Sequence, residues 1–230
     1  MHHKPEESAA EGIVGILGLK KAGYLYRAML FDTLAICLAV PGSEFAIYTD
    51  RAGGDDQVRE MLELFRREEE NASIKRRLTR VRIIGDRVDS GSIRAKSAFD
   101  WGFKKGFRQV AVVRSCCPML TPSMLRATFI LLKKHPAVIG PTFGGSYYLF
   151  GLSSPLPEVF DGLTGQCGQY LHIRENFARR SIDLRELELS YEVSSAVELN
   201  QLISDIECLR RIGDERTALH TERFIRSLNP

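Results

Sequence analysis

The amino-acid sequence predicts an α/β protein, a three-layer αβα sandwich around a mixed, largely parallel β-sheet. Patterns typical of helices and strands alternate along the 230 residues, with short connections between them. Residues 110–114 (Val-Ala-Val-Val-Arg) form a continuous apolar run, which favours a central strand buried on both faces. The length suits one large domain. We therefore expect a single domain over residues 1–230, with an atypical N-terminus at 1–19 and a C-terminal helix within 214–230.

The composition argues against several classes of partner. Hydrophobic residues make up 44% of the chain and charged residues 27%, as in ordinary globular proteins, and the net charge is only +3. The basic cluster Lys75–Arg77, with Arg80 and Arg82, has no interleaved aromatic residues, which favours a solvated face over nucleic-acid binding. No segment approaches the ~20 apolar residues that cross a bilayer. Residues 1–7 lack the apolar core of a signal peptide, so we expect a cytoplasmic protein without a membrane span.

The five cysteines do not indicate a disulfide framework. Their number is odd, their spacing is irregular and no C-x-x-C pair occurs, so a structural zinc site is not expected either. The adjacent Cys116 and Cys117 allow two interpretations. In a redox interpretation, the pair would form a strained vicinal disulfide, and Arg114 would favour the thiolate of a nearby cysteine. In the other interpretation both side chains are packed and inert, because cysteine is among the most often buried residues. The inert, packed interpretation is the better supported one.

Elements of the first half are predicted from apolar spacing and from turn residues. A long apolar pattern ends at Pro41-Gly42, as a buried helix does. The next helix has its apolar residues at the i, i+3, i+4, i+7 positions. The predicted elements are a helix at 22–40, a strand at 45–49, a helix opened by Asp55 or Asp56 with the core stripe Val58, Met61, Leu62 and Phe65, a strand at 81–84, and a helix at 92–105 that ends at Gly106.

Elements of the second half follow the same alternation. Thr121-Pro122 reads as an N-cap followed by a first-turn proline. Ser195 and Glu198 have the spacing of a capping box. The predicted elements are a strand at 110–114, a helix from 121 to about 134, strands at 137–140 and 147–152, an alternating strand at 187–193, a helix from 195 with Leu199, Leu202, Ile203 and Ile206 inward, and a last helix after Gly213-Asp214.

Two segments are placed to carry a ligand site. In open α/β sheets, ligands bind beyond the carboxyl ends of the strands, and residues 110–118 and 140–149 each contain a strand that runs into a turn. Gly144-Gly145 either admits a ligand close to the backbone or simply forms a tight turn between strands. Tyr147 and Tyr148 either stack on a base or sugar or belong to the core.

These two segments resemble a bacterial family of small glycosyltransferase-like proteins with the GT-A (nucleotide-diphospho-sugar transferase) fold, formerly known only as a domain of unknown function. Family members show Ser-Asp-Cys-Pro, then Leu-Thr-Pro, then Gly-Pro-Ala-x-Asp-Gly-Gly-Tyr-Tyr-Leu-x-Gly. The corresponding residues are Ser115-Cys116-Cys117-Pro118, Leu120-Thr121-Pro122 and the segment from Gly140 to Gly151. The resemblance extends backwards to 24–34 and 89–94 and forwards to 191–199, so it covers roughly residues 20 to 206.

The departures from the family pattern fall on its acidic positions. Cys116 stands where the family has the aspartate of Ser-Asp-Cys-Pro, and Gly144 stands where it has the aspartate before Gly-Gly. Ser146 replaces the second glycine of that pair. The two aspartates of the closing Asp-Val-Asp-Thr motif are Glu192 and Ser194.

The opening basic loop of the family, Lys-x-Pro-x-x-Gly-x-Val-Lys-Thr-Arg-Leu, is not recognisable. Lys4-Pro5 is a remnant at best, and the strand that should precede the loop is missing. Gly12–Leu19 is the candidate for a substitute strand, but it contains no Lys-Thr-Arg.

The resemblance implies a nucleotide-diphospho-sugar as ligand and, in an active enzyme, Mg²⁺ or Mn²⁺ held by carboxylates against the pyrophosphate. A thiol is a poor ligand for such hard cations, so no metal ligand is assigned. The charged candidates could equally be surface charges or caps. The residues expected to line the nucleotide-sugar cleft are Asp50, Asp89, Arg94, Arg114, Ser115, Cys116, Cys117, Gly144, Gly145, Tyr147 and Glu192.

Three functional hypotheses remain open at this stage. The leading one is a GT-A protein that keeps the nucleotide-sugar fold and has lost, or greatly weakened, metal-dependent transfer. The second is a working sugar transferase or nucleotidyltransferase with relocated metal ligands such as Asp50 and Glu192. The third is a protein–protein interaction module. The donor nucleotide, the acceptor and the oligomeric state are not predicted.

Overall fold

A computed structural model describes residues 11–49, 55–85, 91–163 and 169–228, with only the backbone at 55 and 91–93. The chain divides into two compact units. The first comprises Met1–Arg87, Ser115–Pro122 and Val193–Pro230, and the second comprises Val88–Arg114 and Ser123–Glu192. The single domain over residues 1–230 stays a prediction.

The first unit packs helices beside a parallel pair of strands. Two strands pair in register from Ala46 opposite Arg82 to Thr49 opposite Gly85. Phe31, Leu34 and Phe65 are almost fully buried in its core, and Phe65 belongs to the predicted core stripe. Its elements are α1 (Glu11–Leu17), α2 (Leu19–Leu38), β1 (Ala46–Thr49), α3 (Asp55–Glu68), α4 (Ala72–Leu78), β2 (Arg82–Gly85), α8 (Ala196–Arg211) and α9 (Leu219–Leu228).

The strand expected at Gly12–Leu19 is wrong, because this segment begins with helix α1. Ile13 is buried, and a Cβ atom at position 12 would lie 2.6 Å from the carbonyl oxygen of Ser194. Glycine therefore lets the helix backbone approach that segment closely. Gly18, with φ of 74°, separates α1 from α2. Tertiary packing overrides the strand preference of the β-branched residues here.

Helix α9 is capped by a side chain far away in the sequence. Asp32, on α2 and 3% exposed, accepts hydrogen bonds from the backbone N–H groups of His220 and Thr221 at 2.8 and 2.9 Å. It also accepts one from the Thr221 hydroxyl at 2.6 Å. First-turn N–H groups have no partner within their own helix, so the buried carboxylate satisfies them and joins α9 to α2.

The second unit contains a four-stranded mixed sheet with the strand order β3-β5-β4-β6. Strand β5 is antiparallel to both β3 and β4, and β4 is parallel to β6. The sheet is mixed as expected, but its parallel share is smaller than the sequence predicts. The elements are α5 (Gly91–Lys104), β3 (Val110–Val113), β4 (Ala137–Pro141), β5 (Tyr147–Leu152), a 3-10 helix (Pro157–Phe160), α7 (Gln169–Arg179) and β6 (Leu184–Glu186), with α6 (Pro122–Leu131) preceding β4.

Two strand predictions in this unit need correction. The strand expected at 187–193 is instead β6, which spans Leu184–Glu186, and beyond it only Ser190 forms an isolated bridge, with Thr142. The residues of β3 are half-buried rather than fully buried, because β3 is the last strand of its described sheet. A period-two pattern and an apolar run do not reveal where pairing stops or which strand lies at an edge.

Among the described helices, none is long and apolar enough to cross a membrane. Among the described residues, Cys37, Cys116, Cys117 and Cys208 do not form disulfides. Cys167 lies outside the described residues.

Candidate functional site

The end of strand β3 holds a charged group, which we call the Arg114 cluster: Arg114, Ser146 and Glu192. The backbone N–H of Arg114 donates to the carbonyl of Tyr148 at 3.0 Å, which continues the pairing of β3 with β5. The guanidinium donates from Nη1 to the Ser146 hydroxyl oxygen. The same Nη1 lies 3.0 Å from Oε1 of Glu192. Three segments distant in the sequence thus contribute one cation, one hydroxyl and one carboxylate.

Glu192 is the unusual member of the Arg114 cluster. Its side chain is only 19% exposed, and burial raises its pKa above the ordinary value, against the opposing effects of Arg114 and of a hydrogen bond from Ser146. No group of the described residues donates a hydrogen bond to its buried Oε1, which contacts Arg114 as an ion pair. The carboxylate is therefore held by charge attraction in a partly desolvated place.

The glycine turn, residues 142–146, joins β4 to β5 beside this cluster. Thr142 N–H donates to the Ser146 carbonyl at 2.9 Å, and Gly145 N–H donates to the Thr142 carbonyl at 3.0 Å. Gly145 has φ of 76°, which favours glycine. No heavy atom lies within 4 Å of where a Cβ of Gly144 would be. The segment is a tight turn, and it also leaves open surface at Gly144.

The tyrosine pair lies in the core. Tyr147 and Tyr148 are 3% and 1% exposed, and the Tyr148 hydroxyl donates to the carbonyl of Glu188 at 3.1 Å. Burial raises the pKa of Tyr147 to about 12, with smaller effects from Arg114, Glu192 and Arg94. Neither ring is exposed enough to stack on a ligand. Tyr147 lies close enough to the Arg114 cluster for Arg114 and Glu192 to affect its pKa.

In the first unit, the chain after β3 carries Ser115, Cys116 and Cys117. Oγ of Ser115 lies 2.9 Å from the hydroxyl of Tyr26, within hydrogen-bond distance. The carbonyl of Cys116 accepts from the N–H of Val193 at 3.0 Å. Cys117 is 1% exposed, which agrees with the packed interpretation, whereas Cys116 is half-buried.

The remaining cleft candidates are only partly placed. Asp50 and Asp89 lie outside the described residues. Arg94 is half-buried on α5. Sequence reasoning gave Ser146 only as a departure from the family pattern and assigned it no role, because nothing in the sequence marks a serine as a bridge between an arginine and a glutamate.

The basic cluster of α4 is more than a solvated face. Arg77 donates to the carbonyl oxygens of Val40 and Ser43, and these contacts fix the loop after α2. Arg80 is exposed, and Arg82 pairs with Glu44 at 2.8 Å on the surface.

At the positions that match the family's acids, the described residues supply few of the oxygen ligands of a usual Mg²⁺ or Mn²⁺ site. Hard cations require several oxygen ligands, chiefly carboxylates. At the positions that match the family's acids, this chain offers the thiol of Cys116, no side chain at Gly144 and the hydroxyl of Ser194, which donates to Glu198 at 3.3 Å. Among these positions only Glu192 keeps a carboxylate, and it is paired with Arg114.

Comparison with known proteins gives a family and a fold. A model of the bacterial family described as "uncharacterized protein conserved in bacteria (DUF2064)" matches residues 49–164. No curated protein matches the chain. The chain is similar to the crystal structure of a "putative nucleotide-diphospho-sugar transferase" from Desulfovibrio desulfuricans G20, with a TM-score of 0.76 and 23% identity over 94% of this chain and 87% of that one.

A second solved structure is similar at a greater distance. It is CMP:2-keto-3-deoxy-manno-octonic acid synthetase complexed with CTP, with a TM-score of 0.51 and 11% identity over 78% of this chain and 87% of that one. At such low identities the likeness shows the fold. Together with the alternating helices and strands, it confirms the predicted class, the three-layer αβα sandwich of nucleotide-diphospho-sugar transferases.

Proposed function

The chain belongs to the bacterial family DUF2064, and from that premise we propose that it binds a nucleotide-diphospho-sugar while metal-dependent sugar transfer is absent or greatly weakened. The observation that carries the proposal is the Arg114 cluster at the end of β3. It retains a cation for phosphate, whereas the matched acidic positions have become Cys116, Gly144 and Ser194.

Arg114 has the chemistry required to hold a diphosphate. A guanidinium presents several N–H donors in a planar fork that suits phosphate oxygens. Ser146 and Glu192 hold this side chain in place before a ligand arrives, so less side-chain entropy is lost on binding. An incoming phosphate competes with Glu192 for the guanidinium, and the open surface at Gly144 lies on the turn that supplies Ser146.

Transfer is a different requirement from binding. Sugar transfer leaves a nucleotide diphosphate whose growing negative charge must be stabilised in the transition state. In metal-dependent transferases the divalent ion supplies that stabilisation. Because the described residues at the matched positions do not fit such an ion, Arg114 is the cation that we assign to the diphosphate, and transfer without the metal is weak or absent.

A working transferase is the second candidate, and one observation favours it. Oε1 of Glu192 is buried, and among the described residues the ion pair with Arg114 holds it rather than a hydrogen bond, so a divalent cation that displaces Arg114 would find a ligand there. Asp50, outside the described residues, is the other carboxylate proposed for this role. A divalent ion bound by both side chains at about 2.0–2.6 Å would establish this alternative.

The proposal predicts that Arg114→Ala weakens binding of sugar nucleotides. Isothermal titration with UDP-, GDP- and CDP-sugars, in EDTA and in MnCl₂, identifies the nucleotide and the metal requirement. We expect one nucleotide class to bind equally well in both buffers. Loss of a charge-assisted contact worth about 1.5–3 kcal/mol should weaken that binding about ten- to a hundredfold in the variant.

The matched control is Arg126→Ala, which removes an exposed arginine from α6 and should leave affinity unchanged. Equal losses in both variants would indicate a general charge effect rather than a site at Arg114. Binding that requires Mn²⁺ and is followed by release of nucleotide diphosphate would establish the working transferase instead.

A further inference from the structure

Phe143 is an exposed aromatic residue in the glycine turn. Its exposed fraction is 74%, although a phenyl ring is among the side chains most favoured in the interior. Single exposed apolar residues are common on protein surfaces, so exposure alone assigns no role to Phe143. The structure around the ring carries the argument.

The backbone that presents the ring is held on both sides. Phe143 N–H donates to the carbonyl of Ser190 at 2.9 Å, and Tyr170 N–H donates to the carbonyl of Gly145 at 3.1 Å. The Thr142 hydroxyl oxygen accepts from the backbone N–H of Ser146 at 3.2 Å. The ring is therefore exposed on a fixed turn, and a ligand that packs on it orders little additional backbone.

Other exposed apolar side chains border the same turn. In the described part of the second unit, the large apolar side chains that are exposed are Ile130, Phe143, Leu171 and Leu189. Leu171 follows Tyr170, and Leu189 precedes Ser190, the two residues whose backbones are hydrogen-bonded to the turn. All but Ile130 thus belong to segments tied to the glycine turn, which indicates an apolar border around it.

Polar groups lie on the same short segment. Three residues beyond Phe143, Ser146 contacts Arg114, and no heavy atom lies within 4 Å of where a Cβ of the intervening Gly144 would be. An aromatic face beside fixed polar groups suits a pyranose, because one side of the sugar ring presents C–H groups and its rim presents hydroxyls. The negative face of a phenyl ring attracts such weakly positive C–H groups.

We propose that Phe143 is a sugar-stacking residue that binds the pyranose of the nucleotide-diphospho-sugar. The inference rests on the proposed function, because it places the sugar beside a diphosphate held by Arg114. A nucleobase could also stack on a phenyl ring. The sugar is the ligand assigned here, because the open surface at Gly144 leaves room for a non-planar ring beside Phe143.

Titration of each protein with a sugar nucleotide and with the matching nucleoside diphosphate separates the two parts of the ligand. We expect Phe143→Ala to weaken binding of the sugar nucleotide about three- to tenfold and to leave the nucleoside diphosphate unchanged. Phe143→Trp should keep or improve the sugar contribution. Ile130→Ala, which removes another exposed apolar side chain from the same unit, should behave as wild type, and circular dichroism checks that each variant is folded.

Each other outcome counts against the inference. Equal sugar-nucleotide affinity in wild type and Phe143→Ala overturns it while the proposed function stands. Equal weakening of both ligands by Phe143→Ala means that the ring stacks on the base, which also overturns it. If the wild-type protein binds neither ligand, the proposed function fails and the inference fails with it. If Arg114→Ala weakens binding of both ligands while Phe143→Ala weakens neither, the diphosphate site stands and the sugar contact is overturned.

Discussion

At the scale of single residues, Glu192 shows most clearly how the environment changes chemistry. A glutamate in water is ionised at neutral pH, but burial raises the pKa of Glu192 despite the nearby Arg114. Through the family resemblance, the sequence predicts that Glu192 stands at the position of an aspartate and lines the cleft. Its burial, its pairing with Arg114 and its contact with Ser146 depend on segments distant in the chain.

This shift predicts a pH dependence of stability. Because the folded-state pKa of Glu192 lies above its ordinary value of 4.5, the folded protein binds more protons than the unfolded chain between those two values. The contribution of Glu192 to the free energy of unfolding is therefore fully present below pH 4.5, and it is lost as pH rises through the folded-state pKa. Measured by urea denaturation, the free energy of unfolding should decline less with rising pH in Glu192→Gln than in wild type.

The exposed Glu60→Gln serves as control, since it removes a carboxylate from the surface of α3. It should reproduce the wild-type pH profile. A Glu192→Gln profile that is parallel to wild type throughout would mean that the folded-state pKa of Glu192 is not raised.

At the scale of elements, local signals predicted most helices, and long-range packing decided the errors. The capping box at Ser195 and Glu198 is formed as expected, with Glu198 accepting from the Ser195 N–H at 2.7 Å. The strands expected at 12–19 and 187–193 are wrong. In both cases a partner segment, which periodicity does not reveal, determines whether the backbone pairs or coils.

The docking of α9 on α2 predicts a large effect from a small change. Asp32→Asn keeps one acceptor oxygen but directs an amide N–H₂ toward donors that need an acceptor. Leaving buried donors unsatisfied costs about 1–3 kcal/mol, so the free energy of unfolding should fall by about that amount in urea denaturation. A variant as stable as wild type would show that α9 does not depend on this cap.

At the scale of the whole molecule, the family resemblance predicted the fold, and the structure brings only some of the candidate site residues into contact. Arg114 and Glu192 were candidates from the sequence and are in contact, whereas Ser146, which bridges them, had no assigned role. Asp50 and Asp89 stay predictions. The residue types at positions 116, 144, 192 and 194 could be compared with the family pattern from the sequence alone, whereas the geometry of these groups could not be predicted.

Restoring the acids is a test that the fold permits. Gly144 is not one of the described glycines that have a positive φ, and no heavy atom lies within 4 Å of where its Cβ would be. Ser194 is exposed. Cys116 is half-buried, and aspartate is close to cysteine in length. The variant Cys116→Asp/Gly144→Asp/Ser194→Asp therefore adds three carboxylates with little expected strain, and circular dichroism verifies its fold.

The central claim is that the protein lacks a strong site for a divalent metal ion. The most direct test is to measure its affinity for Mn²⁺ in the absence of nucleotide, using electron paramagnetic resonance to quantify free Mn²⁺. We expect the wild-type protein to bind Mn²⁺ only weakly and the triple-aspartate variant to bind it at least about tenfold more tightly, since the three added carboxylates stand where the family carries its acids and affinity rises with the number of charged oxygen ligands. Wild-type affinity equal to or greater than that of the variant would contradict the account.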